Sequence, residues 1–172
     1  IKTTLKKRYE NFRRAITQYK SEDVFQLYMN SYTEAIDPHT NYLSPITSEN
    51  FKIDMSRSLE GIGAQLQQED DYTKVADIIP GGPAYKSGLL KQNDKITAVG
   101  QGKDGEMVDV IGWRITDVVQ LIRGPKGTTV KLQILPAKEG PNAIPKEIKI
   151  VRDKVTLEEQ SAKKSILNIK NN

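Results

Sequence analysis

Between Leu59 and Val151, glycine and proline divide the chain into short segments in which apolar and polar residues alternate. Val130, Leu132 and Ile134 show this period of two most clearly. Such a period is typical of a strand with one buried face. Five segments between these punctuating residues are expected to be strands: "IGAQLQ", "KVADII", "DKITAV", "TVKLQIL" and "KEIKIV".

Two helical segments interrupt the predicted strands. "PAYKSG" begins with Pro83, a residue that suits the first position of a helix. "WRITDVVQLIRG" carries apolar residues at helical spacing before Gly124, namely Ile115, Val118, Val119 and Ile122. The region therefore predicts an α+β fold that is mainly β, a partly open barrel of five to six strands with two helices.

The first 36 residues predict two helices that form a hairpin. Apolar residues recur at intervals of four and three in the first helix, which gives one stripe: Leu5, Tyr9, Phe12, Ile16 and Tyr19. Ser21 is a candidate N-cap for the second helix, with Glu22 and Asp23 in its first turn. We expect the stripe to pack as core within the hairpin.

Residues 37–57 predict a linker. The segment "DPHTNYLSP" combines two prolines with turn-forming polar residues, and a further polar stretch reaches Met55. The predicted organisation is therefore a helical segment at 1–36, a linker at 37–57, a strand-rich domain at 58–153 and a charged connector at 154–172.

Composition excludes several classes of function. The chain has no cysteine, so disulfides and thiol chemistry are excluded, but this absence does not fix the compartment. No apolar run approaches the roughly 18 residues of a membrane helix. Residues 1–20 carry seven Lys or Arg against Glu10, but they lack the interleaved aromatic pattern of a nucleic-acid groove. A solvated lysine-rich helix face is the simpler interpretation.

The familiar catalytic motifs also fail. Gly100, Gly102 and Gly105 spell G-x-G-x-x-G without a surrounding βαβ unit, and His39 is the single histidine of the chain. Ser161 and Lys164 spell S-x-x-K in a charged tail that lacks the companion motifs of an acyl-transfer site. We therefore expect no metal, no cofactor and no catalytic site in this chain.

The segment "EGIGAQLQ" is the remaining candidate site. If its glycines form a loop before a strand, the N–H groups of Ile62, Gly63 and Ala64 can form a nest for a carboxylate. An extended peptide can then pair with the strand edge, while Leu66 and the second helix close an apolar pocket. Such a site reads a free apolar C-terminus. A tight turn in which the glycines only relieve strain is the alternative.

The order of "GIGA", "IIPGGPAYKSGLLKQNDKITAVG" and "VVQLIRGPKGTTVKLQIL" closely resembles the PDZ domain of the bacterial carboxyl-terminal processing peptidases. "DPHTNYLSP" and "VDVIGWRITDVV" resemble the tail-specific protease branch in particular. The resemblance implies a PDZ-like barrel and a parent enzyme that is a periplasmic serine endopeptidase with a Ser/Lys dyad. It implies that the PDZ domain binds the apolar tails of substrates and gates proteolysis, and that an adaptor lipoprotein is a possible further partner.

The resemblance also implies roles for individual residues. Ile62, Gly63 and Ala64 match the carboxylate-binding loop, followed by Leu66 on the strand. The pocket side of the second helix comprises Ile115, Val119 and Ile122. Part of a hinge between the helical region and the PDZ domain is expected at Asp37, Pro38, Tyr42 and Pro45. The segments that carry the catalytic serine and lysine have no counterpart here, so the fragment is expected to bind peptides without cutting them.

Two other functions stay open on the sequence. A PDZ adaptor that binds a fixed partner without proteolysis has the same loop and pocket. A basic helical N-terminus can instead act as a surface for membranes or polyanions. The insert "GQGKDGEMVDVIGW", which ends at Trp113, has no role that the sequence explains.

Overall fold

The structure, a computed structural model, describes residues 2–56 and 58–156. The chain divides between Met55 and Ser56 into two compact units. The helices of the N-terminal part are α1 (Lys2–Thr17), α2 (Ser21–Ile36) and α3 (Pro45–Ser56). The second unit contains, in order, β1 (Ser58–Gly61), β2 (Ala64–Glu69), β3 (Tyr72–Ile78), α4 (Pro83–Ser87), β4 (Lys95–Gln101), β5 (Met107–Asp109), α5 (Ile115–Ile122), β6 (Thr129–Leu135), a 3-10 segment (Ala137–Asn142), β7 (Lys146–Val151) and β8 (Asp153–Thr156).

The second unit is built on one antiparallel sheet with the order β2-β3-β4-β6-β7, and β5 pairs with β4 beside it. The five predicted strands correspond to β2, β3, β4, β6 and β7, and the two predicted helices are α4 and α5. The strands β1 and β8 form a separate antiparallel pair, the β1–β8 ribbon, in which Ser58 lies opposite Thr156. The predicted mainly β fold with two helices is confirmed.

The core of this unit lies between the sheet and its helices. Val130, Leu132 and Ile134, which showed the clearest alternation, have exposed fractions of at most 3%. The helix α5 packs against β4 and β2, whereas α4 packs against β7. Alternating side chains therefore bury one face of the sheet beneath the helices, as a period of two requires.

The first unit differs from the expectation in two respects. The stripe on α1 is not buried, because Leu5, Phe12 and Ile16 keep exposed fractions of 51%, 64% and 53%. A unit of about 55 residues has a high ratio of surface to volume, and it buries little apolar area by itself. In addition, α2 begins at Ser21 with Lys20 as its N-cap, so the predicted cap residue is the first residue of the helix.

The segment that was predicted as a linker contains the helix α3. Ser44 precedes it and Pro45 is its first residue, a position where the missing N–H of proline leaves no helical bond unmade. The carbonyl of Ser44 accepts the N–H of Ser48 at 2.8 Å, which closes the first turn. No apolar periodicity marks this helix in the sequence, and none of its described residues is buried.

Candidate functional site

The loop between β1 and β2, the Gly61–Ala64 loop, has a defined shape. The side chain of Ile62 is 3% exposed and belongs to the hydrophobic core. Gly63 has φ +72°, a backbone conformation in which a side chain is strained. The loop is therefore fixed by a buried anchor on one residue and by a left-handed glycine on the next.

A second glycine segment supports this loop from below. The N–H of Ala84 donates to the carbonyl of Ile62 at 2.7 Å, and the N–H of Ile79 donates to the carbonyl of Gly63 at 2.9 Å. A Cβ on Gly63 would lie 3.1 Å from the Cα of Gly82, which is backbone and cannot move aside easily. "GIGA" and "IIPGGPA" thus depend on each other, because each segment needs a glycine where the backbones of the two segments approach closely.

The hydrogen bonds of the loop are one-sided. Both carbonyls of Ile62 and Gly63 are occupied, whereas among residues 58–156 no acceptor is paired with the N–H of either residue. Successive N–H groups with a left-handed residue among them form an anion-binding nest. This arrangement has the donors that the predicted carboxylate site needs, and both the carboxylate site and the alternative of a tight turn stay predictions.

The strand β2 follows the loop at the edge of the sheet. It pairs with β3, and no other described strand pairs with it. Ala64 and Leu66 are half-buried and pack against the core. An edge strand presents unpaired backbone groups to which an extended chain can add. We call the surface between this edge and α5 the groove.

The helix α5 supplies the other wall of the groove. Val118 and Ile122 are buried, with exposed fractions of 0% and 3%, and they hold the helix on the core. Ile115 and Val119 are half-buried, and their i, i+4 spacing places them on one face of the helix. The structure therefore places Ile122 in the core beneath the helix, apart from the half-buried pair with which it was grouped.

The C-terminal end of α5 is fixed by Arg152, a residue that the sequence did not single out. Its side chain donates from Nε to the carbonyl of Ile122 at 2.8 Å and from Nη2 to that of Leu121 at 3.0 Å. Nη2 also donates to Oε1 of Gln101 at 2.7 Å. A cation at this end of a helix interacts favourably with the helix dipole. Burial lowers the pKa of the Arg152 guanidinium.

The β1–β8 ribbon connects Arg152 to the Gly61–Ala64 loop. Gly61 lies opposite Asp153, the residue after Arg152. Lys126 pairs with Asp153 through Nζ and Oδ1 at 2.8 Å and donates its N–H to the carboxylate of Glu60 at 3.0 Å. The hydrogen bond from Lys126 holds the pKa of the Asp153 carboxyl below its usual value. The ribbon is thus joined by a hydrogen bond and an ion pair to the segment that follows α5.

The predicted hinge residues lie at the end of α2 and the start of α3. Asp37 is the C-cap of α2, and its carboxylate accepts the Thr40 hydroxyl at 2.7 Å and the His39 N–H at 3.1 Å. These bonds, the one from Thr40 foremost, lower the pKa of Asp37. Pro38 lies in the exposed turn that follows, and Pro45 begins α3.

The segment between these prolines is attached to α2. The N–H of Tyr42 donates to Oδ1 of Asn30 at 2.7 Å, and its ring meets that of Phe25 edge to face at 5.4 Å. Oε1 of Gln26 accepts the N–H of Ser44 at 3.0 Å. Residues 37–44 are thus ordered against α2, and their role as a hinge stays a prediction.

The described part of the chain shows neither a metal site nor a membrane span. Over residues 2–56 and 58–156, no three His, Asp or Glu side chains come together as metal ligands. In the same residues no helix combines the length and apolar character that a bilayer crossing demands.

A glycine loop before an edge strand, with a helix closing an apolar groove beside it, defines a PDZ domain. The PDZ family model matches residues 51–135, and the model of the tail-specific protease N-terminal domain matches residues 1–46. A solved PDZ domain of the carboxy-terminal protease from Vibrio cholerae, in complex with a peptide, is 54% identical, with a TM-score of 0.55. The match covers 58% of this chain and 99% of that one.

The curated relatives are proteases. The chain is 48% identical to the tail-specific protease of Haemophilus influenzae over 95% of its own length and 23% of the relative. It is 39% identical to the carboxy-terminal processing protease CtpA of Bacillus subtilis, over 57% of this chain and 20% of the relative. The chain thus spans about a quarter of these relatives. It belongs to the family of carboxyl-terminal processing serine proteases, in the tail-specific branch.

A more distant solved structure has the same fold. The photosystem II D1 C-terminal processing protease is 23% identical, with a TM-score of 0.53, and the match covers 79% of this chain and 33% of that one. At this identity the likeness supports the fold alone.

Proposed function

We propose that this chain is the substrate-recognition module of a tail-specific serine protease, and that it binds the free apolar C-terminus of a substrate protein in the groove. The observation that carries the proposal is the pair of N–H groups on Ile62 and Gly63, which lack acceptors among residues 58–156 beside an open strand edge. A carboxylate takes up these donors, and the tail extends along β2 as an added strand.

The position of the loop fixes the direction of the tail. The loop precedes the N-terminal end of β2, so a tail that ends there runs antiparallel to this strand. Ile115 and Val119 then face its last side chains from α5, together with Leu66 from the strand. Each charge-assisted hydrogen bond contributes roughly 1.5–3 kcal/mol, and the cost of ordering the peptide offsets much of the sum. We expect an affinity on the order of micromolar.

The first experiment compares two peptides of identical sequence with an apolar end, one with a free carboxylate and one amidated. In a fluorescence titration of the whole chain, the amidated peptide should bind about tenfold more weakly, because one charge-assisted bond contributes roughly this factor. Equal binding of both peptides would contradict carboxylate capture.

A pair of variants on α5 tests the apolar wall. Val119→Ala should weaken binding of the free peptide about fivefold, because a half-buried side chain loses two methyl groups of contact. Thr116→Ala, at an exposed position of the same helix, serves as the matched control and should bind as the unaltered chain does. Equal effects of the two substitutions would place the tail elsewhere.

The proposal extends to the parent enzyme. Its Ser/Lys dyad would lie outside this chain, which should bind tails without cutting them. Tail binding to the PDZ domain would gate proteolysis in the periplasm, where an adaptor lipoprotein is a possible further partner. Fractionation of cells that make the parent protein tests the compartment. Cleavage of substrates with free and blocked tails tests the gating.

The second candidate is an adaptor that binds a partner's C-terminus without proteolysis, since the groove alone serves either role. The parent protein separates the two. Tail-dependent cleavage supports the protease module, and tail binding without any cleavage supports the adaptor.

A further inference from the structure

The insert before α5 is anchored at its end. Val110 is 1% exposed, and its N–H donates to the carbonyl of Thr97 on β4 at 2.9 Å. The N–H of Ile111 donates to Oδ1 of Asp109 at 2.8 Å, and that of Trp113 donates to the carbonyl of Val110 at 3.2 Å. Residues 109–113 therefore form a turn that the core and the sheet hold in place.

This turn lies at the end of the groove that is distant from the Gly61–Ala64 loop. The N–H of Gly112 donates to the carbonyl of Asp71 at 2.7 Å, and Asp71 belongs to the turn between β2 and β3. Three residues after Gly112, α5 begins at Ile115. The main chain around Trp113 thus passes from the far end of β2 to the first residue of the groove helix.

Two apolar side chains of this turn remain exposed. Ile111 is 41% exposed and Trp113 is 40% exposed, although Val110, directly before them in the chain, is buried. Trp113 is the single tryptophan of the chain. Aromatic side chains of this size contribute strongly to recognition because they cover a large area with few rotatable bonds.

The length of β2 determines which residues of a bound tail come near this turn. The strand contains 6 residues, from Ala64 to Glu69. A tail that adds antiparallel to it advances by about 3.3 Å per residue, at the same rate as the strand itself. When the last residue lies near Ala64, the fifth and sixth residues from the end lie near Gln68 and Glu69, beside the β2–β3 turn.

From this geometry we propose that Ile111 and Trp113 form an upstream subsite, which takes an apolar or aromatic side chain at the fifth or sixth position from the end of the tail, because successive side chains of an extended tail point to opposite faces. The inference rests on the proposed function, because it places the tail in the groove. Its occupant is a further part of the same tail, since the turn continues the groove at its far end. The subsite adds selectivity for tails whose apolar character extends beyond the last few residues.

The test uses two unlabelled eight-residue peptides that share their last four residues. One carries Leu at the fifth and sixth positions from the end, and the other carries Ser at both. In competition against a labelled tail peptide, the Leu peptide should bind the whole chain about fivefold more tightly, given the area that a half-exposed tryptophan still offers. Because the chain has one tryptophan, the Leu peptide should also shift its emission to the blue.

Variants make the test specific. Trp113→Ser should remove the preference for the Leu peptide. Ile144→Ser should keep it, because Ile144 is 72% exposed and lies just before β7, the strand at the opposite edge of the sheet. Circular dichroism establishes that both variants are folded.

The outcomes separate the subsite from the site itself. If both peptides bind equally and the emission of Trp113 does not change, the subsite is wrong although the groove binds tails. The same conclusion follows if the helical unit or another part of the chain covers Trp113 in solution, since its emission would then be blue-shifted before any peptide is added. If neither peptide binds, the proposed function fails and the subsite with it.

Discussion

Replacement of Arg152 by methionine should destabilise the strand-rich unit and loosen the groove helix. Arg152 as a residue is 3% exposed, and the described contacts include no carboxylate partner for its guanidinium. Its bonds to the carbonyls of Ile122 and Leu121 fix the last turn of α5. Methionine keeps most of the apolar stem and removes every donor.

The magnitude follows from what each acceptor loses. The carbonyl of Leu121 keeps a donor, since Nε2 of Gln101 also bonds to it at 2.7 Å. The carbonyl of Ile122 is left buried without one, which costs about 1–3 kcal/mol. Loss of the bonds to Gln101 and Thr128 costs roughly 1 kcal/mol each, because water can reach these partly exposed groups. Removal of a buried charge offsets part of this, so we expect a net loss of about 2–4 kcal/mol.

Urea unfolding of the whole chain measures this loss. With a slope of about 1–3 kcal/mol per molar, the midpoint should fall by roughly 1–2 M. Arg152→Lys should give a smaller loss, because one ammonium reaches fewer of the acceptors. Lys154→Met is the matched control, since this exposed lysine lies two residues further along the chain. If Arg152→Met lowered stability no more than the control, the stabilising role of the hydrogen bonds from Arg152 to the end of α5 would be refuted.

Three further predictions concern the loop, the ribbon and the hinge segment. Gly63→Ala should cost about 1–2 kcal/mol more in thermal unfolding than Gly88→Ala, because both positions have positive φ but only the first meets a neighbouring Cα at 3.1 Å; equal losses would exclude the close approach. The hydrogen bond from Lys126 lowers the folded-state pKa of Asp153, so its ion pair stabilises the protein fully above the ordinary carboxyl pKa of about 4, and this stability is lost as the pH falls through the lowered folded-state pKa. Asp153→Asn should therefore lower the unfolding temperature at pH 6, and the difference from the unaltered chain should shrink as the pH falls below about 4. Gln26→Ala should accelerate amide hydrogen exchange at Ser44, whose N–H it frees, while exchange at Tyr42 stays slow because Asn30 holds that group independently.

Local pattern predicted the elements that bury one face. The alternation of Val130, Leu132 and Ile134 predicts β6, because strand geometry places every second side chain in the core. The ribbon strands β1 and β8 were not predictable from local pattern, because each has 4 residues and their pairing joins positions nearly a hundred residues apart. Short strands of this kind depend on partners that a local window does not contain. Ser44 followed by Pro45 is a helix start signal that could have predicted α3, but the polar residues that follow lack the apolar periodicity by which a helix is recognised.

Part of the candidate site was also predictable from short segments of the sequence. Glycine spacing and the resemblance pointed to Ile62, Gly63 and Ala64, and the structure places them in one loop with open donors. Arg152 was not predictable, because a charged residue near the end of a strand normally faces solvent. Its burial depends on carbonyls that α5 presents, which hydropathy does not show. Whether these residues bind a tail is a matter for the peptide titrations.

The β1–β8 ribbon has a consequence for how the domain is attached. Ser58 and Thr156 are paired across the ribbon, so the chain enters and leaves the domain at one place. A domain that is joined through such a two-stranded neck can turn as a whole when two adjacent backbone segments bend, and its interior need not change. Because its two ends are adjacent, we expect that the domain can be inserted into a surface loop of an unrelated protein and fold there. The host protein has only to bridge the short distance between neighbouring strands.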